Sequence, residues 1–214
     1  DHATYTDWNM GLEAQLSARD IPEHWLDGWI HIAGVGASVK MQRQILNDLP
    51  RNRIRGLSIG TCKAMVQDSP EDTRALLAAS DIFFLNEEEW TLLYPNGPPA
   101  GHSGTIVVTR GDRGVTVFRG TSAQEFQAKP VDVFDPTGAG DAFCGAFLGA
   151  LVQGATEPAT VAIRAASIVL SGLGASPLAE WVGSQVTSRA ANDPDALRRI
   201  APTVEANAQR SAFD

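Results

Sequence analysis

Apolar residues along the first half of the chain fall into short runs that predict strands, separated by stretches with helical spacing. Residues 29–34 alternate and end in glycine, residues 54–59 return to the same character, and residues 81–85 form a short apolar segment. Residues 37–49 carry apolar side chains at helical spacing. A second helix is expected over residues 70–79, where a serine that can cap the helix precedes a proline and two acids.

Strands and helices therefore alternate along this part of the chain. Two successive strand–helix units imply parallel strands that are joined by right-handed crossovers, with helices on both faces of the sheet. The sequence thus predicts an α/β fold of the doubly wound class, with a mainly parallel sheet.

The second half of the chain adds a hairpin and a long apolar helix. Residues 105–109 and 114–118 read as strands, and the tight turn of residues 110–113 between them predicts a β-hairpin at one side of the sheet. Turn-forming residues fill positions 94–104, which predicts a surface loop. Residues 138–152 are apolar on nearly every side, which predicts a central, buried helix.

Composition limits the classes of function. The chain has 214 residues, of which 43% are hydrophobic, so one sizeable core is expected: a single domain over residues 1–214 that ends in a surface helical tail over residues 193–214. The net charge of -8 is spread without an acidic or basic block, which disfavours nucleic acid and anionic membranes as partners. The two cysteines are far apart, which argues against a disulfide framework or a zinc site and favours a cytoplasmic protein.

A glycine-rich turn before the apolar helix carries the candidate chemistry. The backbone N–H groups of Gly138, Ala139 and Gly140 are expected to point at one spot at the positive end of that helix, where anions bind. Asp141 follows in the first turn, where it can accept a proton from a substrate hydroxyl beside a bound phosphate. Taken by itself, such a segment is as often an ordinary helix start with a capping aspartate.

The longer segment over residues 135–148 resembles the second signature of the ribokinase-like (PfkB) family of sugar and nucleoside kinases. The resemblance implies that Asp141 is the catalytic base and that residues 138–140 form the anion hole. It also implies that Asp135 and Thr137 lie near a site for a monovalent cation such as K⁺. Threonine often follows that first aspartate in relatives where this chain has proline, a departure that leaves the chemical positions intact.

Two further segments agree with this resemblance. Asn86 to Glu89 resembles the family's N-x-x-E element, which helps to position Mg²⁺ and phosphates, with Glu89 acting through water; alone, the run is more often an acidic helix start. The segment from Thr109 through Gly111 to Gly114 resembles the T-x-G-x-x-G turn that packs against the nucleotide. Each element lies at the carboxyl end of a predicted strand, where doubly wound sheets bind ligands.

Later positions extend the comparison. Residues 171–177 resemble the turn that completes the cation site and the adenine pocket in relatives, with Gly174 as the candidate carbonyl ligand. A helix C-cap followed by a loop explains these residues equally well. Ile163 stands where many relatives have an adenine-side asparagine, so recognition of the base would rest on apolar packing and backbone groups. Lys63 is either a phosphate contact or a solvated lysine after a strand.

The resemblance implies an ATP-dependent kinase that transfers the γ-phosphoryl group to a primary hydroxyl of a sugar, sugar acid or nucleoside, with Mg²⁺ as cofactor. The chain starts without methionine and resembles the carboxy-terminal two-thirds of such a kinase. The amino-terminal strands, the substrate-contacting glycine pair and the lid, which often makes a dimer interface, are therefore expected to lie outside it. The alternative is a non-catalytic or truncated family member that binds nucleotide or a protein partner.

Overall fold

The computed structural model describes residues 17–33, 39–99, 101–182 and 184. The chain divides into two compact units, Asp1–Lys129 and Pro130–Asp214. The first is built around a sheet and the second around two helices. The tail helix predicted over residues 193–214 lies outside the described residues, and the single domain over the whole chain stays a prediction.

Six strands of the described part of the first unit lie side by side in chain order. They are β1 (Trp29–Ile32), β2 (Gly56–Gly60), β3 (Ile82–Asn86), β4 (Thr105–Thr109), β5 (Val115–Arg119) and β6 (Ser122–Phe126). The pairs β1–β2, β2–β3 and β3–β4 are parallel, whereas β4–β5 and β5–β6 are antiparallel. The mainly parallel sheet and the predicted hairpin at its side are both confirmed.

Helices fill the connections between the parallel strands. The helices of the first unit are α1 (Val39–Asp48), α2 (Lys63–Asp68), α3 (Pro70–Ala79) and α4 (Glu87–Leu93). The second unit contains α5 (Ala139–Val152) and α6 (Pro158–Leu170). No helix among the residues that the structure describes is both long enough and apolar enough to cross a bilayer.

Both faces of the central strands are buried. Successive residues of a strand point to opposite faces. In β3 the four consecutive residues Ile82, Phe83, Phe84 and Leu85 are each at most 4% exposed, so both faces of the strand are buried. All five residues of β2 are buried as well. Strands that are apolar on both faces are typical of parallel sheets covered on both sides, which agrees with the doubly wound prediction.

One α-helix and one strand in the described part of the first unit were not predicted from the sequence. The helix α2 is only six residues long, too short to show a periodic pattern, and β6 is mostly exposed and polar. Ser69 does precede α3, but the prediction that its side chain caps the helix was wrong, because that side chain makes no capping hydrogen bond. Instead, the hydroxyl of Thr73 donates to the Ser69 carbonyl at 2.8 Å.

The second unit is held by the packing of α5 on α6. The helix α5 buries Phe143, Phe147 and Ala150, which are four and three residues apart and so share one face. The buried residues of α6 are mostly small, since four of the five are alanine or proline. The helix predicted over residues 138–152 is present and begins at Ala139, but only one of its faces is buried and not the whole circumference.

Candidate functional site

Two of the predicted segments lie side by side at the end of the parallel sheet. Asn86 is the last residue of β3 and is paired in register with Thr109, the last residue of β4. The Thr109 hydroxyl lies 3.5 Å from the carbonyl oxygen of Leu85. Since parallel strands end at the same edge of a sheet, the residues predicted to contact Mg²⁺ and the nucleotide occupy one edge of this unit.

Asn86 and Glu89 form a capping box at the start of α4. The Glu89 backbone N–H donates to Asn86 Oδ1 at 2.9 Å, and the Asn86 backbone N–H donates to Glu89 Oε2 at 3.0 Å. Such a reciprocal pair satisfies two backbone donors that the helix leaves open. Glu89 is 4% exposed. The acidic helix start that the sequence left open as an alternative is therefore present, whatever further role these side chains have.

Thr61 adds a contact from the neighbouring strand. It directly follows β2, and its hydroxyl lies 2.7 Å from Glu89 Oε2 and 3.2 Å from the Phe84 carbonyl. The Thr61 backbone N–H also donates to the Phe84 carbonyl, at 3.1 Å. Sequence reasoning missed this residue, although its place immediately after a predicted strand was a signal that could have found it.

These oxygens fit a hydrated cation better than a bare one. Mg²⁺ prefers oxygen ligands, keeps several of its waters and demands near-ideal octahedral geometry. Asn86 Oδ1 and Glu89 Oε2 already accept backbone N–H groups, so the pair suits the contact through water that the resemblance implied. Among the residues that the structure describes, no group of three or more His, Cys, Asp or Glu side chains could hold a metal ion directly.

Charged neighbours connect α4 to the turn that follows β4. Glu87 forms an ion pair with Arg113, and its other carboxylate oxygen lies 4.0 Å from Nε of Arg110. Glu88 pairs with Lys63 at 2.5 Å, and both of these side chains are more than half exposed. Lys63 is therefore a partly solvated lysine with an acidic partner, and its contact with phosphate stays a prediction.

The glycines of the turn after β4 are required by its backbone. Gly111 has a φ of 60° and Gly114 a φ of 86°, a region that side chains other than glycine rarely adopt. A Cβ atom on Gly114 would lie 2.0 Å from the carbonyl oxygen of Phe126. The spacing of glycines that resembles a nucleotide-side turn thus has a structural cause here, independent of any ligand.

In the second unit, the predicted anion-binding turn opens α5. Gly138 caps the helix in the left-handed conformation, with a φ of 80°. The Ala139 backbone N–H donates to the Pro136 carbonyl at 3.3 Å, which is long for this type of bond and competes with any anion for that donor. Gly140 and Asp141 lie in the first turn, where backbone N–H groups have no carbonyl within the helix. Both residues are exposed.

Asp135 holds two segments of this unit together. Its Oδ1 accepts from the Thr137 backbone N–H at 2.9 Å, and its Oδ2 accepts from the Gly174 backbone N–H at 3.3 Å. The hydrogen bond from the Thr137 N–H, which favours the ionised carboxylate, is the main reason that the pKa of Asp135 is lowered. Gly174 has a φ of 57°. The turn before α5 is thereby tied to the turn after α6.

The predicted residues therefore cluster within each unit. The first unit brings together Asn86, Glu89, Thr109 and Gly111 at one edge of its sheet. The second unit joins Asp135, Thr137 and Gly174 through hydrogen bonds, next to the turn that leads into Asp141. Ile163 is half-buried in α6, and its part in base recognition stays a prediction.

Solved structures show that the fold belongs to the ribokinase-like class of α/β folds. The structure matches that of adenosine kinase from Sinorhizobium meliloti with a TM-score of 0.65 at 22% identity, covering 75% of this chain and 54% of that one. It matches ribokinase from Thermotoga maritima with a TM-score of 0.60 at 20% identity, covering 77% and 58% respectively. At these identities the likeness shows the fold.

Sequence comparison gives the family. Residues 60–181 match the pfkB family of carbohydrate kinases, and the chain belongs to that family. It is 32% identical to cytidine kinase from Thermococcus kodakarensis over 158 residues, which are 68% of this chain and 55% of that protein. The chain spans about half the length of these relatives.

Proposed function

We propose that the protein is a kinase that transfers the γ-phosphoryl group of ATP to a primary hydroxyl of a sugar, sugar acid or nucleoside. The single observation that carries the proposal is the start of α5. There a left-handed glycine turns the chain into the helix, and an exposed aspartate stands in its first turn. The proposal also draws on membership of the pfkB family.

The chemistry of that turn suits phosphoryl transfer. Charge in the transition state lies on the peripheral oxygens of the transferring phosphoryl group, so catalysis depends on positioning and on donors placed in advance. The open backbone N–H groups of Gly140 and Asp141 stand at the positive end of α5, a helix of 14 residues. On this ground we assign Gly140 to the anion hole, and the resemblance to the family signature adds Gly138 and Ala139 to it.

Asp141 is assigned the role of general base. Its carboxylate takes the proton of the acceptor hydroxyl, and the hydroxyl oxygen forms a bond to the γ-phosphorus. The bond from that phosphorus to the bridging oxygen breaks, and ADP leaves with the electron pair. An exposed first-turn carboxylate is accessible to such a substrate.

The first unit is assigned to the nucleotide and its metal ion. Mg²⁺, when bound with ATP, neutralises charge that develops on the phosphates. Asn86 and Glu89 would hold its water ligands, and Thr109 and Gly111 would contact the nucleotide. Asp135 and Thr137, together with the Gly174 carbonyl, are proposed to stand beside a monovalent cation such as K⁺. The homodimer and the cytoplasmic location likewise stay predictions.

Replacing Asp141 tests the proposal. Without its base, the Asp141→Asn variant should lose activity by about 10²- to 10⁴-fold, a typical contribution of general-base catalysis. Affinity for ATP should be retained, because the backbone donors remain. The measurement is ATP consumption with a panel of sugars, sugar acids and nucleosides, with and without K⁺, beside nucleotide binding by calorimetry.

Asp132→Asn is the matched control, since Asp132 is an exposed aspartate nine positions earlier in the same unit. It should leave turnover unchanged. Wild-type activity in the Asp141→Asn variant would overturn the assignment of the base. Failure of the folded wild-type protein to consume ATP with every acceptor, while still binding nucleotide, would favour the alternative of a non-catalytic nucleotide-binding module.

A further inference from the structure

The buried carboxylate of Glu89 is held from two directions. One hydrogen bond comes from the Asn86 backbone within the capping box, at 3.0 Å. The other comes from the Thr61 hydroxyl on the neighbouring strand connection, at 2.7 Å. Both hydrogen bonds end on Oε2, so the second carboxylate oxygen, Oε1, is the one that neither donor occupies.

The two hydrogen bonds to Glu89 depend on different levels of structure. The capping box belongs to α4 and would form wherever that helix starts with these residues. The Thr61 contact depends on the tertiary structure, because Thr61 and Glu89 are 28 positions apart and meet only where β2 and β3 end side by side. Two donors on one oxygen restrict rotation of the carboxylate about its last torsion, which is otherwise broad.

Thr61 is itself firmly placed. Its backbone N–H donates to the Phe84 carbonyl at 3.1 Å, two residues before Asn86. The position of the Thr61 hydroxyl is therefore fixed relative to the end of β3. A hydrogen bond to an ionised carboxylate is also stronger than one between neutral groups. The Thr61 hydroxyl thus donates to the buried Glu89 carboxylate from a fixed direction.

We propose that Thr61 is a positioning residue, which orients the Glu89 carboxylate so that Oε1 can hold a water ligand of the metal ion that accompanies the nucleotide. This inference rests on the function proposed above. Thr61 touches neither substrate nor metal in this account and acts only through Glu89. Its loss should therefore weaken metal binding and leave the base and the acceptor site intact.

The test uses Mn²⁺ as a probe for the metal site. Binding of Mn²⁺ in the presence of ATP is followed by electron paramagnetic resonance for wild type, Thr61→Val and Thr61→Ser. Valine keeps the shape but removes the donor, so the dissociation constant for Mn²⁺ should rise by about tenfold, as for a lost hydrogen bond to a charged group. Serine keeps the hydroxyl and should stay within about threefold of wild type, given the usual scatter of such effects.

Two controls separate positioning from general destabilisation. Thr73→Val removes another buried threonine donor, which bonds to the Met65 and Ser69 carbonyls; it should lower the melting temperature but leave Mn²⁺ affinity unchanged. In a Glu89→Gln background, Thr61→Val should produce no further loss of Mn²⁺ affinity, because the residue through which it acts has already changed.

The outcomes distinguish the two proposals. If Glu89→Gln weakens Mn²⁺ binding while Thr61→Val leaves it at the wild-type value, the positioning role is wrong and the kinase proposal stands. Equal loss of affinity in Thr61→Val and Thr73→Val would show that both act through stability alone and would also overturn the role of Thr61. If wild type binds no Mn²⁺ with ATP and shows no turnover, both proposals fall together.

Discussion

At the scale of single residues, the two aspartates of the segment before α5 have separate environments. Asp135 accepts backbone hydrogen bonds on both carboxylate oxygens, whereas Asp141 is exposed in the first turn of the helix. A carboxylate whose oxygens already accept N–H donors is suited to holding a loop, and an exposed one is free to meet a substrate. Exposure of Asp141 agrees with its proposed role as the base, and the contact of Asp135 with a monovalent cation stays a prediction.

Thr116 offers a prediction on stability. It is 2% exposed in β5, and its hydroxyl has no hydrogen-bond partner among the described residues. Burying an unpaired hydroxyl has a free-energy cost that a methyl group avoids. Thr116→Val should therefore raise the free energy of unfolding by about 1 kcal/mol, measured by urea denaturation.

Thr73→Val is the matched comparison for this change. The Thr73 hydroxyl, equally buried, lies 2.8 Å from the Ser69 carbonyl, so the same substitution should lower the free energy of unfolding by about 1 kcal/mol. Opposite signs are expected for the two variants. A loss of stability in Thr116→Val as large as that in Thr73→Val would contradict the prediction.

At the scale of elements, hydrogen bonds between loops stabilise the second unit in addition to the packing of its two helices. Asp135 links the segment before α5 to Gly174 after α6, and the Phe134 backbone N–H donates to the Leu170 carbonyl at 2.7 Å. Each bond joins the entry of one helix to the exit of the other. The position of the turn that leads into α5 therefore depends on how α6 ends.

Asp135→Asn tests this link through its pH dependence. The folded-state pKa of Asp135 lies below its ordinary value, chiefly because the Thr137 N–H stabilises the ionised form. Stability from this group is therefore fully present above the unfolded-state pKa of about 3.9 and is lost as pH falls through the folded-state pKa. Asp135→Asn should be less stable than wild type at pH 7, and this difference should shrink below about pH 4.

Urea denaturation at a series of pH values measures the effect, with Asp132→Asn as control because that aspartate is exposed in the same unit. The control should be as stable as wild type at pH 7. If the free energy of unfolding of Asp135→Asn differed from that of wild type by the same amount at every pH, ionisation of Asp135 would not contribute to stability.

At the scale of the whole molecule, the proposed function predicts that ATP stabilises the folded protein. A ligand that binds only the folded state adds about 2.7 kcal/mol to the free energy of unfolding at 100 times its dissociation constant. ATP with Mg²⁺ should therefore raise the melting temperature of the wild type, and Asp141→Asn should show the same rise. Thermal unfolding with and without nucleotide measures it, and no rise in either protein would count against nucleotide binding.

The order of the elements and the candidate chemistry could be predicted from the sequence. The short apolar runs predict β1 to β3, because burial on both faces leaves few polar positions in a strand. The hairpin followed from two strand patterns around a tight turn. The segment over residues 135–148 pointed to its family without any coordinates. What depended on weak local signals, such as the six-residue helix α2 and the polar strand β6, was missed.

Contacts between distant residues needed the tertiary structure. Thr61 and Glu89 are 28 positions apart, Glu87 and Arg113 are 26 apart, and Asp135 and Gly174 are 39 apart. No local pattern specifies such pairs, because each depends on which strand or turn the fold brings alongside. The sequence alone therefore determined which groups are present and in what order. The tertiary structure decided their partners, since packing of the sheet and helices sets the distances between them.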